Sequence, residues 1–496
     1  MKKEVWKEQF SDAMTMLPEE LLMEDVEKMS GKGKHRLRIV IAAAAFAAAA
    51  AVLFFGVRFI TTLLKPEEQP LPVSVQSNNC LSAAEYPATA KYQSLNDRRD
   101  EELNQKIYED MMARIESGKK LFRIDQKLYR EVIREMIGNA TENNPITSPA
   151  NMYMALALLA ECAEGETEQE ILNALGVHAD SEAVENAETL MLANYIDNGA
   201  ANSHFANALF LNQGIPCRTG SLKKLSEKLY ASVFQGKMGD PEYDSMLHHW
   251  LDQETGGFLR GASDSLHMDP ANAADLISSV YIRAMWRAPF DASETEEGVF
   301  HGKDEENSVP FMHQELETAY FYGEHFAAIA LGLGGENEAR MWLVLPDEGV
   351  SVRSLTENEE ALSILLSDDG TLFRQWEGKN AYARVRLSLP KFDLSAGNDL
   401  KAVMQSFGVR KAFLKDEADL SGLFAIEDPV WVSSAENRLR IAIDEEGVTA
   451  ASYIDLGIAG AAMPEQNVDF KLDRPFLFCI QGSSGTPLFV GAVEQL

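Results

Sequence analysis

The sequence predicts an α+β domain with large sheets, preceded by one membrane-spanning helix. Three observations carry that expectation. Ile39 to Val57 are 19 consecutive residues without a charge, close to the ~20 that cross a bilayer as a helix. From about residue 121 the composition is globular to the end, with helical and strand patterns mixed and no regular βαβ alternation. Within that stretch Val385, Leu387 and Leu389 alternate with Arg384, Arg386 and Ser388, as in a strand with one face in a core.

Residues 1–38 read as a short cytoplasmic piece, acidic to Glu27 and basic afterwards. Met16, Leu21, Leu22 and Val26 fit a small amphipathic helix. Lys32, Lys34, Arg36 and Arg38 precede the apolar run, so the N-terminus is expected inside the cell and the rest outside. The span 39–60 is expected to stay as a single-pass signal anchor in the cell membrane. The alternative is signal cleavage, within the alanine run, and secretion. Residues 61–120 read as an extracellular stalk. Pro66, Pro70, Pro72 and Pro87 favour extended chain. Ile107, Met111, Met112 and Ile115 predict a charged helix within 96–120 that packs on the main domain. Cys80 would be an exposed thiol on that stalk, open to pairing between molecules.

Residues 121–496 carry the domain. Thr167-Glu168-Gln169-Glu170 forms a capping box, and the helix it starts should stop at Gly176. Leu400, Val403, Met404 and Phe407 make one helix face ended by Gly408. Strands are expected at Phe205 to Asn212, Ile277 to Ile282, Met341 to Leu345, Arg384 to Leu389 and Phe476 to Ile480.

Asp plus Glu number 77 against 45 Lys plus Arg, a formal charge of -32. That excludes broad nucleic-acid binding, which needs clustered positive charge. Cys80, Cys162, Cys217 and Cys479 form no CxxC pair, so neither a disulfide framework nor a structural zinc site is expected. Cys162 and Cys479 lie in apolar contexts and read as buried thiols. No GxSxG or HExxH occurs, and adjacent His248 and His249 cannot share a helix face as metal ligands. Gly332-Leu333-Gly334-Gly335 has Asn337 where a dinucleotide loop needs its third glycine. No nucleophile, base and oxyanion hole assemble. An enzyme, a cofactor and a metal are all unexpected.

Several segments, taken in order, resemble the serpin family. They are Ile146-Thr147-Ser148-Pro149 with the helix after it, Phe205 to Leu211, and Tyr281-Ile282-Arg283-Ala284-Met285-Trp286 with Phe290. Val309-Pro310-Phe311-Met312, Leu389-Pro390-Lys391-Phe392 and Asp419-Leu420-Ser421-Gly422-Leu423 follow. Asp473 to Phe478 and Pro487 to Gly491 complete the series. The resemblance implies a large mixed sheet, two further sheets, eight or nine helices and an exposed reactive-centre loop.

That loop would run from Glu445-Glu446-Gly447-Val448-Thr449-Ala450-Ala451-Ser452 to about Gln466. It is rich in small residues and shows no strong turn signal before Gly457 and Gly460. The resemblance implies a trap used once. A serine protease cuts the loop and forms an acyl-enzyme, and the cut loop enters the sheet as a new strand. Val448, Ala450, Ser452 and Ile454 could then face the core, and Thr449, Ala451, Tyr453 and Asp455 the other side. Counting from the hinge glycine Gly447 puts the reactive bond at Ala461-Ala462, or one or two residues later. A small residue there suits the shallow S1 pocket of an elastase-like or subtilisin-like enzyme. Ser148, Asn151, Ser278, Trp286 and Asn437 stand in the sheet-opening region, Asn151, Ser278 and Asn437 where the family more often has Ser, Asn and His. The expected partners are the target protease, held covalently, and the membrane; the chain is expected to be a monomer on a prokaryotic envelope. The competing reading is a non-inhibitory serpin-fold binding or structural module on the cell surface.

Overall fold

The structure, a computed structural model, describes residues 79–87, 101–124, 126–197, 201–259, 266–334, 339–367, 379–448 and 466–496. The expected cytoplasmic piece and membrane span lie outside the described residues. Among the described residues no helix is long and apolar enough to cross a membrane.

In chain order the elements begin with β1 (Cys80–Ser82), α1 (Glu101–Ile124) and α2 (Lys127–Ile133). A short β2 (Ile146–Thr147) leads into α3 (Pro149–Cys162), α4 (Gly165–Leu175) and α5 (Asp180–Asn194). Then come β3 (Ile196–Asp197), β4 (Ala201–Asn212), α6 (Thr219–Glu227), β5 (Ala231–Gly236), α7 (Pro241–Glu254) and β6 (Ala274–Met285). The middle of the domain holds β7 (Glu296–His301), β8 (Glu306–Gly323), β9 (Phe326–Gly332), β10 (Arg340–Pro346), α8 (Glu359–Leu365) and β11 (Asn380–Pro390). The last elements are β12 (Phe392–Asp399), α9 (Leu400–Ser406), β13 (Val432–Ile443), β14 (Gly447–Val448), β15 (Gln466–Lys471), β16 (Phe476–Gln481) and β17 (Pro487–Val493).

The strands form two sheets. One has the order β1-β5-β4-β6-β14-β13-β12, with β3 on β4; the other runs β15-β11-β8-β9-β10-β16-β17-β2, with β7 on β8. The two further sheets expected from the sequence are thus joined into one. Their bridge is β8, 18 residues long, which carries β7 at its start and β9 at its end.

Local chemistry explains the elements around the site. Every residue of α3 is buried, as an all-round apolar helix must be. Ser148 caps it: its Oγ accepts from the Asn151 N–H, and Pro149 sits in the first turn. The start of α4 falls two residues before the expected Thr167. Thr167 is buried, and its Oγ1 accepts from Asp419 N instead of capping the helix. Gly176, at φ 74, ends α4 in the left-handed conformation.

The first sheet is covered on both faces. Leu276, Val280 and Ile282 of β6 join the main core with α3, while Phe210 and Ile277 pack under Tyr243, Leu247 and Trp250 of α7. At the sheet's outer edge, β1 pairs antiparallel with β5. Around it, Gln235 N donates to Asn79 O (2.8 Å), Ala84 N to Ser232 Oγ (3.1 Å) and Glu85 N to Ser226 O (2.9 Å). Tyr86 stacks between Tyr195 and Tyr230 and donates to Glu254 Oε2 at 2.6 Å. Cys80 is therefore a half-buried residue of a paired edge strand, with its thiol pushed up by burial, and not an exposed thiol on free chain. The open backbone edge of β5 explains the docking. Cys162 and Cys479 are buried.

Candidate functional site

The hinge is a tight turn. Asp444 Oδ1 accepts from the N–H groups of Glu446 (2.9 Å) and Gly447 (3.1 Å), and Asp444 N donates to Gly447 O. The turn reverses the chain from β13 into β14. It reads in the sequence as Asp-x-x-Gly, a signal absent from the expectations above. Gly447 then pairs with Met285, and Val448 sits between Ala284 of β6 and Ile443 of β13. A Cβ on Gly447 would stand 2.4 Å from Ala284 O and 2.6 Å from Met285 Cα. Only glycine fits so close to backbone atoms.

Side chains hold the turn in place. Trp286 Nε1 donates to Asp444 O (2.8 Å), and the N–H groups of Trp286 and Phe290 donate to Glu446 O and Glu445 O (3.0 Å each). Glu445 accepts from Lys391 Nζ (2.6 Å) and Thr295 Oγ1 (2.8 Å). Burial pushes the Glu445 carboxyl up, but these donors outweigh it and hold it below the ordinary value.

Below the hinge lies a slot. From Ala274–Ser278 β6 pairs directly with Val432–Asn437 of β13, in parallel. Higher up, β14 separates the two strands. On that side β6 pairs with β13 as far as Ser278 and with β14 at Ala284 and Met285. Ser279 Oγ reaches across to Arg438 O at 3.2 Å.

Polar groups underlie the foot of the slot. Ser278 Oγ lies 2.7 Å from Asn151 Oδ1 and 2.5 Å from Asn207 Oδ1. One hydroxyl proton serves only one of those oxygens. Asn151 Nδ2, Asn207 Nδ2 and Asn437 Oδ1 are buried without a partner.

A family model described as "Serpin (serine protease inhibitor)" matches residues 124–496. The chain belongs to the serpin family. It is 26% identical over 381 residues to plasminogen activator inhibitor 1 of Bos taurus, covering 74% of this chain and 90% of that one. An uncharacterised serpin-like protein of Thermococcus kodakarensis is 29% identical over 378 residues, covering 73% and 82%. Among solved structures, the thermophilic serpin tengpin in its native state superposes with a TM-score of 0.66 at 21% identity, covering 84% of this chain and all of that one. Human thyroxine-binding globulin complexed with thyroxine superposes with a TM-score of 0.63 at 21% identity, covering 76% and 99%.

Within the serpin domain the expected site residues fall into two groups. Ser148, Asn151, Ser278 and Asn437 gather at the foot of the slot, with Asn437 directly opposite Ser278. Trp286 stands apart from them, at the mouth, where β14 enters. Glu445, Glu446, Gly447 and Val448 form the hinge, and Val448 is 1% exposed. Thr449, Ala450, Ala451, Ser452, Ala461 and Ala462 lie outside the described residues. Asn207, Asp444, Thr295 and Lys391 belong to the site as well, and only Asp444 had a local sequence signal.

Proposed function

We propose that this serpin is a suicide-substrate inhibitor of serine proteases of the elastase-like or subtilisin-like kind. One observation carries the reading: the loop residues Gly447 and Val448 already occupy a strand position between β6 and β13. Continuing that register downward puts Ala450 opposite Ile282, Ser452 opposite Val280 and Ile454 opposite Ser278, all on the core face shared with Val448. The inserted strand would gain ladder hydrogen bonds on both sides and bury small or β-branched side chains. It would also bring backbone groups to the unsatisfied amides at the foot of the slot.

The chemistry begins on the protease. Its serine Oγ attacks the Ala461 carbonyl carbon, the bond to Ala462 breaks, and the departing amine takes a proton from the protease's general acid. The ester that remains ties protease to loop while the loop enters the slot. The domain contributes a bait and a sheet that can take the bait in as a strand. Anchoring through residues 39–60, with the domain outside the cell, would set this trap at the envelope as a monomer.

A second reading, a non-inhibitory binding or structural module, draws on one feature. The same register brings Asp455 beside Ile277, a position covered by α7, and a carboxylate is costly there. Incubating the full-length protein with pancreatic elastase and with subtilisin separates the readings. A band at the summed mass that survives denaturation, with a peptide released C-terminal to residue 461, is the expected result. Clean cleavage with the protease still active would favour the module.

A further inference from the structure

Asp275 lies on β6 at the foot of the seam, opposite Phe210 of β4 and Ser434 of β13. It is 3% exposed. Its Oδ1 accepts from Ser434 Oγ across the seam (2.7 Å) and from Asn272 Nδ2 in the loop before β6 (2.7 Å). Both partners are neutral. A carboxyl group in a strand interior, bonded by a hydroxyl to the strand that must move away, has no role in the bait or the hinge.

We propose that Asp275 is a positioning residue for loop insertion: through Ser434 it ties β6 to β13 where the seam must part, and its ionisation governs how readily that seam opens. The proposal rests on the insertion reading above.

The sign follows from what surrounds the carboxyl. Burial raises it first and most; the donors Ser434 and Asn272 lower it; the charges of Glu436 on β13 and Asp269 on the preceding loop raise it again, and the result is about 6. Glu436 is itself paired with Arg438 (2.8 Å). From α7 the neutral Tyr243 faces the carboxyl, its hydroxyl donating to Leu211 O. Parting β6 from β13 admits water and returns the carboxyl toward its ordinary 3.8. The closed seam therefore binds the proton more tightly than the open one. Raising the pH through 6 favours opening, and the gap between 3.8 and 6 bounds the effect at about a hundredfold. Near pH 5 the neutral acid sits in the seam without that penalty.

The test uses the full-length protein and, as probe, a labelled synthetic peptide with the sequence of residues 448–461. Its rate of incorporation is followed on native gels from pH 5 to pH 8. The wild type should speed up by up to about tenfold across that range, with a midpoint near 6. Asp275→Asn, which keeps the shape and a hydrogen bond to Ser434, should give a flat profile. Ser434→Ala removes a donor that lowers the carboxyl and should move the midpoint to higher pH. A wild-type profile retained in Asp275→Asn, or a midpoint unmoved in Ser434→Ala, overturns the proposal while leaving insertion intact. Peptide uptake that is absent at every pH overturns insertion itself, and the proposal with it. Circular dichroism of each variant identifies any that has not folded, and either variant alone suffices.

Discussion

Gly447 passes so close to Ala284 that a β-carbon at 447 would stand 2.4 Å from the Ala284 carbonyl oxygen. That oxygen belongs to a strand paired on its other side with β4 from Ala274 to Ala284, which resists its retreat. Gly447→Ala should expel β14 from the sheet. The loss of Val448 burial would cost roughly 1.5–3 kcal/mol. Hydrogen exchange read by mass spectrometry should show lost protection in the peptide spanning 444–448, with β16 and β17 unchanged. Unchanged protection at 444–448 would mean that β6 yields.

Val448 is the first loop side chain to face the core. Val448→Arg would set an unpaired charge there, at a cost of several kcal/mol, and the hinge should leave the slot instead. The variant is expected to be cut at the wild-type rate and to release active protease, so the covalent band should fall at least tenfold relative to cleaved product. A full yield of covalent complex would rule out insertion along this register.

Glu445 links the hinge to pH. Its carboxyl is held below the ordinary 4.5, so it stabilises the hinge above that value and loses the contribution as pH falls through its lowered value. Removing the strongest donor with Lys391→Met lets burial raise the carboxyl toward its ordinary value, so the acid release of the hinge should shrink. Trp286 is bonded to Asp444 within the same turn. Its emission, taken as the difference between wild type and Trp286→Phe, should report the transition. An equal acid release with and without Lys391 would remove Glu445 from the account.

Specificity should follow the residue at the cut. Ala461→Arg is expected to shift the covalent complex from elastase-like toward trypsin-like proteases by at least tenfold in rate. No shift would mean the reactive bond lies elsewhere, and sequencing the released peptide would locate it.

Periodicity made much of the fold legible. Val385, Leu387 and Leu389 are buried in β11, and Arg384 and Arg386 point outward to Glu317 and Asp469. Gly408 and Gly176 end their helices where the pattern stops. Gly447 stood out because the family resemblance singles it out, while its steric reason came only from the strand beside it. The lower end of the seam was not legible. Asp275 and Ser434 are 159 residues apart and meet through a parallel register that no local pattern encodes. The start of α4 slipped because Thr167 was taken by Asp419, a partner far along the chain. Cys80 resembled stalk because three strand residues are too few to show an alternation.

The edge strand β1 also defines a load path. Any pull on the chain ahead of Asn79 enters the domain through the β1–β5 ladder and the Tyr86–Glu254 bond at the edge of the sheet. Those bonds peel one after another under tension, whereas the buried helix α3 would have to fail as a block. The domain can therefore be tugged at its margin and give way there first, like a perforated tab, with the bait and its slot left under no strain.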